Sequence, residues 1–116
     1  MVKLTRIAPE LPVANLAGSL GYYLEKLGFQ IAMQMPDRKY AIVERDDVAI
    51  HLFENDPQGS AVVGIHVFTH DIETLFAELQ ERGALISQEI LRKPWGNRDF
   101  RVYDDSGNEI KFTEVA

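Results

Sequence analysis

Two stretches decide the fold: Asp46–Glu54, DDVAIHLFE, and Ser106–Glu114, SGNEIKFTE. Set one on the other, Ile50 falls on Ile110, His51 on Lys111 and Glu54 on Glu114; farther upstream, at the same offset, Tyr40 falls on Phe100. Both stretches alternate apolar and polar residues behind a turn, the pattern of a strand with one buried face. In the second copy the turn is Asp105-Ser106-Gly107-Asn108. Its glycine accepts a positive φ without a Cβ clash, a strong hairpin signal.

Working outward, a helical pattern precedes each strand block. Leu16, Leu20, Tyr23, Leu24 and Leu27 share one face of a helix over Leu16–Leu27, with Asn15 as N-cap and Gly28 as the stop. Ile72, Leu75, Phe76 and Leu79 do the same over Ile72–Arg82, with Asp71 as cap and Gly83 as end. Strands at Leu4–Val13 and Ala61–Thr69 precede the helices. The unit is strand, helix, three strands, and it occurs twice: repeat 1 over about residues 1–54 and repeat 2 over about residues 61–116. The polar run Asn55-Asp56-Pro57-Gln58-Gly59-Ser60 joins them. Neither half can bury a sheet alone, so the two βαβββ repeats pair into one α+β domain, a curved mixed β-sheet with helices outside.

The bulk numbers bound the function. A chain of 116 residues, 46% hydrophobic and 26% charged, fits one small domain. It contains no cysteine, which excludes disulfides and thiolate chemistry. No apolar run approaches the roughly 20 residues of a membrane span. The start, MVKLTRIAPELPV, reads as strand rather than signal peptide. The expectation is a soluble, cytoplasmic protein. A net charge of -6 disfavours nucleic acid and anionic membrane as partners and favours a cationic ligand. Neither a Ser/His/Asp order nor a Gly-rich phosphate loop is recognisable. Glu44, Glu54, Glu109 and Glu114 have no spacing that makes a catalytic pair, and Glu25, Lys26, Glu78, Glu81 and Arg82 read as solvated helix charges.

The run PWGNRDF (Pro94–Phe100) sets the single tryptophan between a proline that restricts the backbone and a glycine that permits a sharp turn. Trp95 either projects from a loop or packs into the core or a dimer contact. Arg98 is expected to pair with a carboxylate and order this loop. His66 shares the face of Gly64 and either lines a pocket or is a satisfied, partly buried histidine. His70, beside the helix cap, is expected in solvent.

With the duplicated unit in place, the chain resembles the glyoxalase/bleomycin resistance protein/dioxygenase (vicinal oxygen chelate) superfamily, most of all its bleomycin-binding branch. Lys3-Leu4-Thr5, Pro9, Leu11, Ala17-Gly18, Leu27-Gly28-Phe29 and Arg45-Asp46-Asp47-Val48 carry the first half of the resemblance. Pro94-Trp95-Gly96, Arg98, Phe100, Asp104, Gly107-Asn108, Phe112 and Glu114 carry the second. Asp105 stands where the family usually has proline, a change a turn tolerates.

The resemblance implies where a metal would sit. Metal-dependent members use His or Glu at four inward strand positions, which fall here on Ala8, His51, Gly64 and Lys111. A methyl, a hydrogen and an ammonium cannot ligate, and one imidazole falls short of the roughly three protein ligands zinc needs. No metal and no cofactor is therefore expected. The resemblance instead implies a homodimer that binds and sequesters a flat, cationic small molecule of the bleomycin family in a groove, without catalysis. The groove residues fall on Met33, Tyr40, His51, Phe53, His66 and Trp95, with Gly107 at the turn. Pro9 falls where the family redirects its first strand for exchange between subunits. The rival reading is a metal-dependent glyoxalase-like lyase or thiol transferase of the same superfamily.

Overall fold

The structure is a computed structural model that describes residues 2–55 and 62–115. Most of the polar join, from Asp56 to Ser60, lies outside the described residues, as does Ala61. The first repeat runs β1 (Glu10–Val13), α1 (Leu16–Lys26), β2 (Gln30–Met35), a short 3-10 turn (Pro36–Arg38), β3 (Tyr40–Arg45) and β4 (Val48–Glu54). The second runs β5 (Gly64–Thr69), α2 (Ile72–Arg82), β6 (Leu85–Arg92), β7 (Arg98–Tyr103) and β8 (Glu109–Glu114). Each repeat supplies its own four-stranded mixed sheet, in the orders β1-β4-β3-β2 and β5-β8-β7-β6. The first and last strands of each βαβββ unit pair in parallel, and the remaining neighbours are antiparallel.

Local chemistry sets the helix ends as the sequence predicts. Asn15 accepts a hydrogen bond from the Gly18 amide at 2.9 Å, and Asp71 from the Thr74 amide at 3.2 Å. These bonds use up donors that have no partner inside the helix. α2 covers the predicted span and ends on Gly83 in the left-handed region, φ 84. α1 ends one residue early, with Leu27 as its cap and Gly28 just beyond at φ 77.

The apolar stripes of both helices meet the inner faces of both sheets. Leu11, Tyr23, Leu27, Ile50 and Leu52 from the first repeat join Leu79, Phe100, Val102 and Ile110 from the second in one core. Phe100 stacks on Phe112 with centroids 5.1 Å apart, and Phe76 meets Phe100 edge-on, also at 5.1 Å.

The strand registers correct two expectations. Ile50 and Ile110 are equivalent: Val43 pairs with Ile50, and Val102 with Ile110. By the same registers Tyr40, paired with Phe53, corresponds to Asp99, paired with Thr113, and not to Phe100. The connection from Tyr103 to Glu109 is one residue longer than that from Glu44 to Ala49, so the upstream strand slips by one. A one-residue slip exchanges the two faces of a strand, which is why Phe100 is buried while Tyr40 faces outward. The strand predicted over Leu4–Val13 forms only over Glu10–Val13. Pairing starts after Pro9, whose carbonyl accepts the His51 amide at 3.0 Å. The residues before it form an arm on which Val2, Leu4 and Ile7 are 92%, 93% and 94% exposed.

The two seams between the repeats differ. On one, the longer β7–β8 turn closes over the start of α1. Ser106 accepts from the Ala14 amide, Asn108 donates to the Pro12 carbonyl, and Ser19 donates to Asp105. Asp104 is buried there and accepts from the Tyr23 hydroxyl at 2.8 Å and from Asn108 Nδ2 at 2.9 Å. On the other, the short Asp46-Asp47 turn leaves a cleft of about 430 Å³ against α2 and the end of β5. Below it Arg45 clamps Glu78, which Arg82 also contacts at 2.7 Å. Glu78 and Arg82 thus bridge the repeats and are not the solvated helix charges that their spacing suggests.

Candidate functional site

Registers place the expected site residues in rows across the outward face of each sheet. On the first sheet Met33, Ile42, His51 and Glu10 lie side by side, and the next row is Met35, Tyr40, Phe53 and Pro12. On the second sheet the matching rows are Gln88, Arg101, Lys111 and His66, and Leu91, Asp99, Thr113 and Phe68. The same backbone thus presents two chemically different walls.

The first wall is apolar and aromatic with an acidic edge. Tyr40 donates its hydroxyl proton to Glu10 at 2.8 Å and lies 2.6 Å from His51 Nδ1. A hydroxyl has one proton. With it committed to Glu10, the short contact is made by His51 donating from Nδ1 to the tyrosine oxygen. Burial first, then the hydrogen bond to Glu10 and its charge, hold the Tyr40 hydroxyl above the usual phenol range. The Tyr40 and His51 rings meet edge-on at 5.7 Å. Met33 is exposed at the outer strand, and Phe53 is half-buried.

The second wall holds a pocket of about 360 Å³ that includes His66, Phe68, Trp95, Lys93, Arg101 and Lys111. Trp95 is 77% exposed, which removes the core alternative and leaves it projecting from the β6–β7 turn. That turn is closed by the Lys93 amide on the Asn97 carbonyl at 2.8 Å, with Gly96 at φ 113. Arg98 anchors its far side as expected: Nη2 and Nε reach Glu114 at 2.6 and 3.1 Å, and Nη1 reaches Glu73 at 2.6 Å. His66 lies in the pocket beside Phe68, rings nearly parallel at 6.2 Å. Burial tends to raise the Asp99 carboxyl, but hydrogen bonds from Gln88 and Lys93 and the charges of Lys93 and Arg101 outweigh it and hold it below the usual range.

Met33, Tyr40, His51 and Phe53 line the first wall; His66 and Trp95 line the second, and none of the first four borders the Trp95 pocket. One chain therefore does not bring the six together. Gly107, at φ 90, lies in the turn at the opposite end of β7 from Trp95, where it approaches Val62. Lys93 and Arg101 were missed in the sequence. For Arg101 the signal was there in the alternation of RDFRVY, in which Phe100 and Val102 point inward and Asp99 and Arg101 outward.

The positions a metal would use do not fit one. Ala8 and Gly64 offer no donor, His51 has Nδ1 engaged by Tyr40, and Lys111 is a cation 3.8 Å from Glu109. Among the described residues no group of three His, Cys, Asp or Glu side chains is placed to hold an ion. No helix among them is long and apolar enough to cross a membrane.

A duplicated βαβββ framework, each unit closing its own mixed sheet around one shared core, defines the class of fold. The family comparison agrees: the model of the Glyoxalase/Bleomycin resistance protein/Dioxygenase superfamily matches residues 3–112, and the chain belongs to that superfamily. It is 26% identical to a bleomycin resistance protein of Geobacillus stearothermophilus, over 90% of this chain and 92% of that one. Its fold is similar to that of the bleomycin-binding protein of Streptomyces verticillus complexed with copper(II)-bleomycin, with TM-score 0.86, 21% identity and full coverage of both chains. It is also similar to that of a bleomycin-binding protein complexed with bleomycin, with TM-score 0.83, 18% identity, and 97% and 100% of the two chains covered.

Proposed function

We propose that this chain is a bleomycin-resistance-type protein that binds and sequesters a flat small molecule between aromatic walls, without catalysis. The groove would form in a homodimer, with the first sheet of one copy facing the second sheet of the other. The observation that carries this reading is the division of the candidate residues: Tyr40 and Phe53 on one wall, Trp95 and His66 on another, with neither Tyr40 nor Phe53 bordering the Trp95 pocket. A second copy supplies the missing wall. The exposed apolar arm Val2–Ile7, hinged at Pro9, supports exchange of that segment between copies. Stacking between rings supplies affinity. The net charge of -6, with Glu10 and Glu44 on the first wall, draws the cationic part of such a ligand.

Titrating copper(II)-bleomycin into the protein while following Trp95 fluorescence tests the reading. Saturable quenching at micromolar ligand is the expected result. An unchanged spectrum at that concentration removes bleomycin as the ligand. The rival, a metal-dependent lyase or thiol transferase, predicts a stoichiometric divalent ion in protein purified without chelator. The donor set at Ala8, His51, Gly64 and Lys111 argues against it.

A further inference from the structure

The second wall carries more positive charge than a cation-binding surface should. Lys93, Arg101 and Lys111 all line the Trp95 pocket, and Asp99 is the one carboxylate among its lining residues. Arg101 and Lys111 are directly opposite each other in the β7–β8 ladder, with His66 opposite Lys111 on the far side. Like charges directly opposite on a sheet repel, so something must offset the pair.

The carboxylates nearby do so poorly. Arg101 lies 3.6 Å from Asp99 and 3.9 Å from Glu109, and Lys111 lies 3.8 Å from Glu109. These distances exceed a charged hydrogen bond, which closes to about 2.7–2.9 Å. The other buttressed arginines of the fold behave differently: Arg45 and Arg98 each reach a carboxylate at 2.6 Å. Arg101 Nε is buried and has no hydrogen-bond partner among the described residues. Asp99, the nearest counter-charge, is already engaged by Gln88 at 2.7 Å and by Lys93 at 3.3 Å. Arg101 therefore holds only long ion pairs through Nη1 and Nη2, with Nε unpartnered among the described residues, beside an ammonium in a pocket walled by Trp95 and Phe68.

We propose that this pocket is an oxyanion-recognition half of the groove: it takes a planar aromatic body carrying a carboxylate, with the ring against Trp95 and Phe68 and the oxyanion on Arg101 and Lys111. The proposal rests on the small-molecule-binding reading above and narrows it, because it assigns opposite charge preferences to the two walls. The overall charge of -6 repels an anion at long range, but that field is screened within about 8 Å at physiological salt, whereas contacts inside the pocket are not.

Isothermal titration of the full-length protein with naphthalene-2-carboxylate and with its uncharged analogue 2-naphthamide tests the proposal. The acid should bind about tenfold tighter or better, the worth of one charge-assisted hydrogen bond. Arg101→Gln should abolish that preference by weakening the acid at least about tenfold more than it weakens the amide. Lys111→Gln, on the neighbouring strand, should reduce it and serves if the first variant folds poorly. Equal affinity for acid and amide, failure of both to bind at millimolar concentration, or a preference that survives both substitutions would overturn it. Copper(II)-bleomycin, titrated in parallel, separates the two readings. Bleomycin binding without an acid preference sinks this proposal alone, and an acid preference without bleomycin binding sinks only the drug assignment.

Discussion

Arg45 of the first repeat grips Glu78 of the second with both prongs, Nη1 to Oε2 at 2.9 Å and Nη2 to Oε1 at 2.6 Å, while Nη1 also donates to the Leu27 carbonyl at 2.8 Å. Parallel, two-pronged geometry is the strong form of an ion pair. Here it ties α2 to the end of α1 across a seam that a short turn leaves partly open. The hydrogen bond from Arg45, with those from Arg82 and both charges, holds the Glu78 carboxyl below its ordinary value against the opposing effect of burial.

This pair gives a pH-dependent prediction. A carboxyl whose folded value is depressed contributes stability that is complete above its unfolded value, near 4.5, and is lost as pH falls through the folded value. Thermal unfolding between about pH 6 and about pH 3 should therefore fall less steeply for Glu78→Gln than for the natural sequence. At neutral pH Arg45→Met should cost about 2 kcal/mol in urea unfolding, since it leaves a half-buried carboxylate short of its main partner.

The buried Tyr23 hydroxyl donates to the buried Asp104 at 2.8 Å. Burial, then the Asp104 charge, pushes that hydroxyl well above the usual phenol range. Tyr23→Phe removes one donor from a carboxylate that keeps Asn108 and two backbone amides. A loss of about 1–3 kcal/mol is expected by chemical denaturation, with the fold retained by circular dichroism.

Trp95 should separate binding from stability. As an exposed ring on a turn, its replacement by alanine should change unfolding free energy by no more than about 0.5 kcal/mol. Loss of its stacking surface should weaken copper(II)-bleomycin by about tenfold or more, read by calorimetry because the fluorophore is gone. A large stability loss with unchanged binding would contradict the placement.

The arm before Pro9 carries three nearly fully exposed apolar residues, Val2, Leu4 and Ile7. On the dimer proposed above, removing residues 2–7 should leave the protein monomeric in sedimentation equilibrium. Binding of the flat ligand should fall with it, since the two walls of the proposed groove come from different copies.

Much of this architecture was legible. The α2 boundaries follow from apolar spacing between an Asp cap and a Gly stop, a local code that tertiary packing does not override. The repeat was visible because Ile50 and Ile110 do the same work on β4 and β8. The match of Tyr40 with Phe100 failed because the two connecting turns differ by one residue, and turn length fixes register. The first strand was overextended because its apolar pattern continues on the far side of Pro9, whereas pairing with β4 begins only at Glu10, since a proline has no N–H to give the ladder. The charge of the second wall escaped notice because net charge averages over faces: a chain of -6 can still present Lys93, Arg101 and Lys111 together. Glu78 and Arg82 were misread because a spacing of four on one helix hides a partner on another element.

The turn at Asp104–Asn108 has a consequence for how the molecule is made. Its bonds to Pro12, Ala14, Ser19 and Tyr23 join residues 81 to 96 positions apart in the chain. While the ribosome is still working on the second half, the start of α1 lacks every one of those partners. The segment that locks the opening helix emerges 81 to 96 residues after the groups it bonds, so α1 waits in the growing chain for partners that only the second repeat supplies.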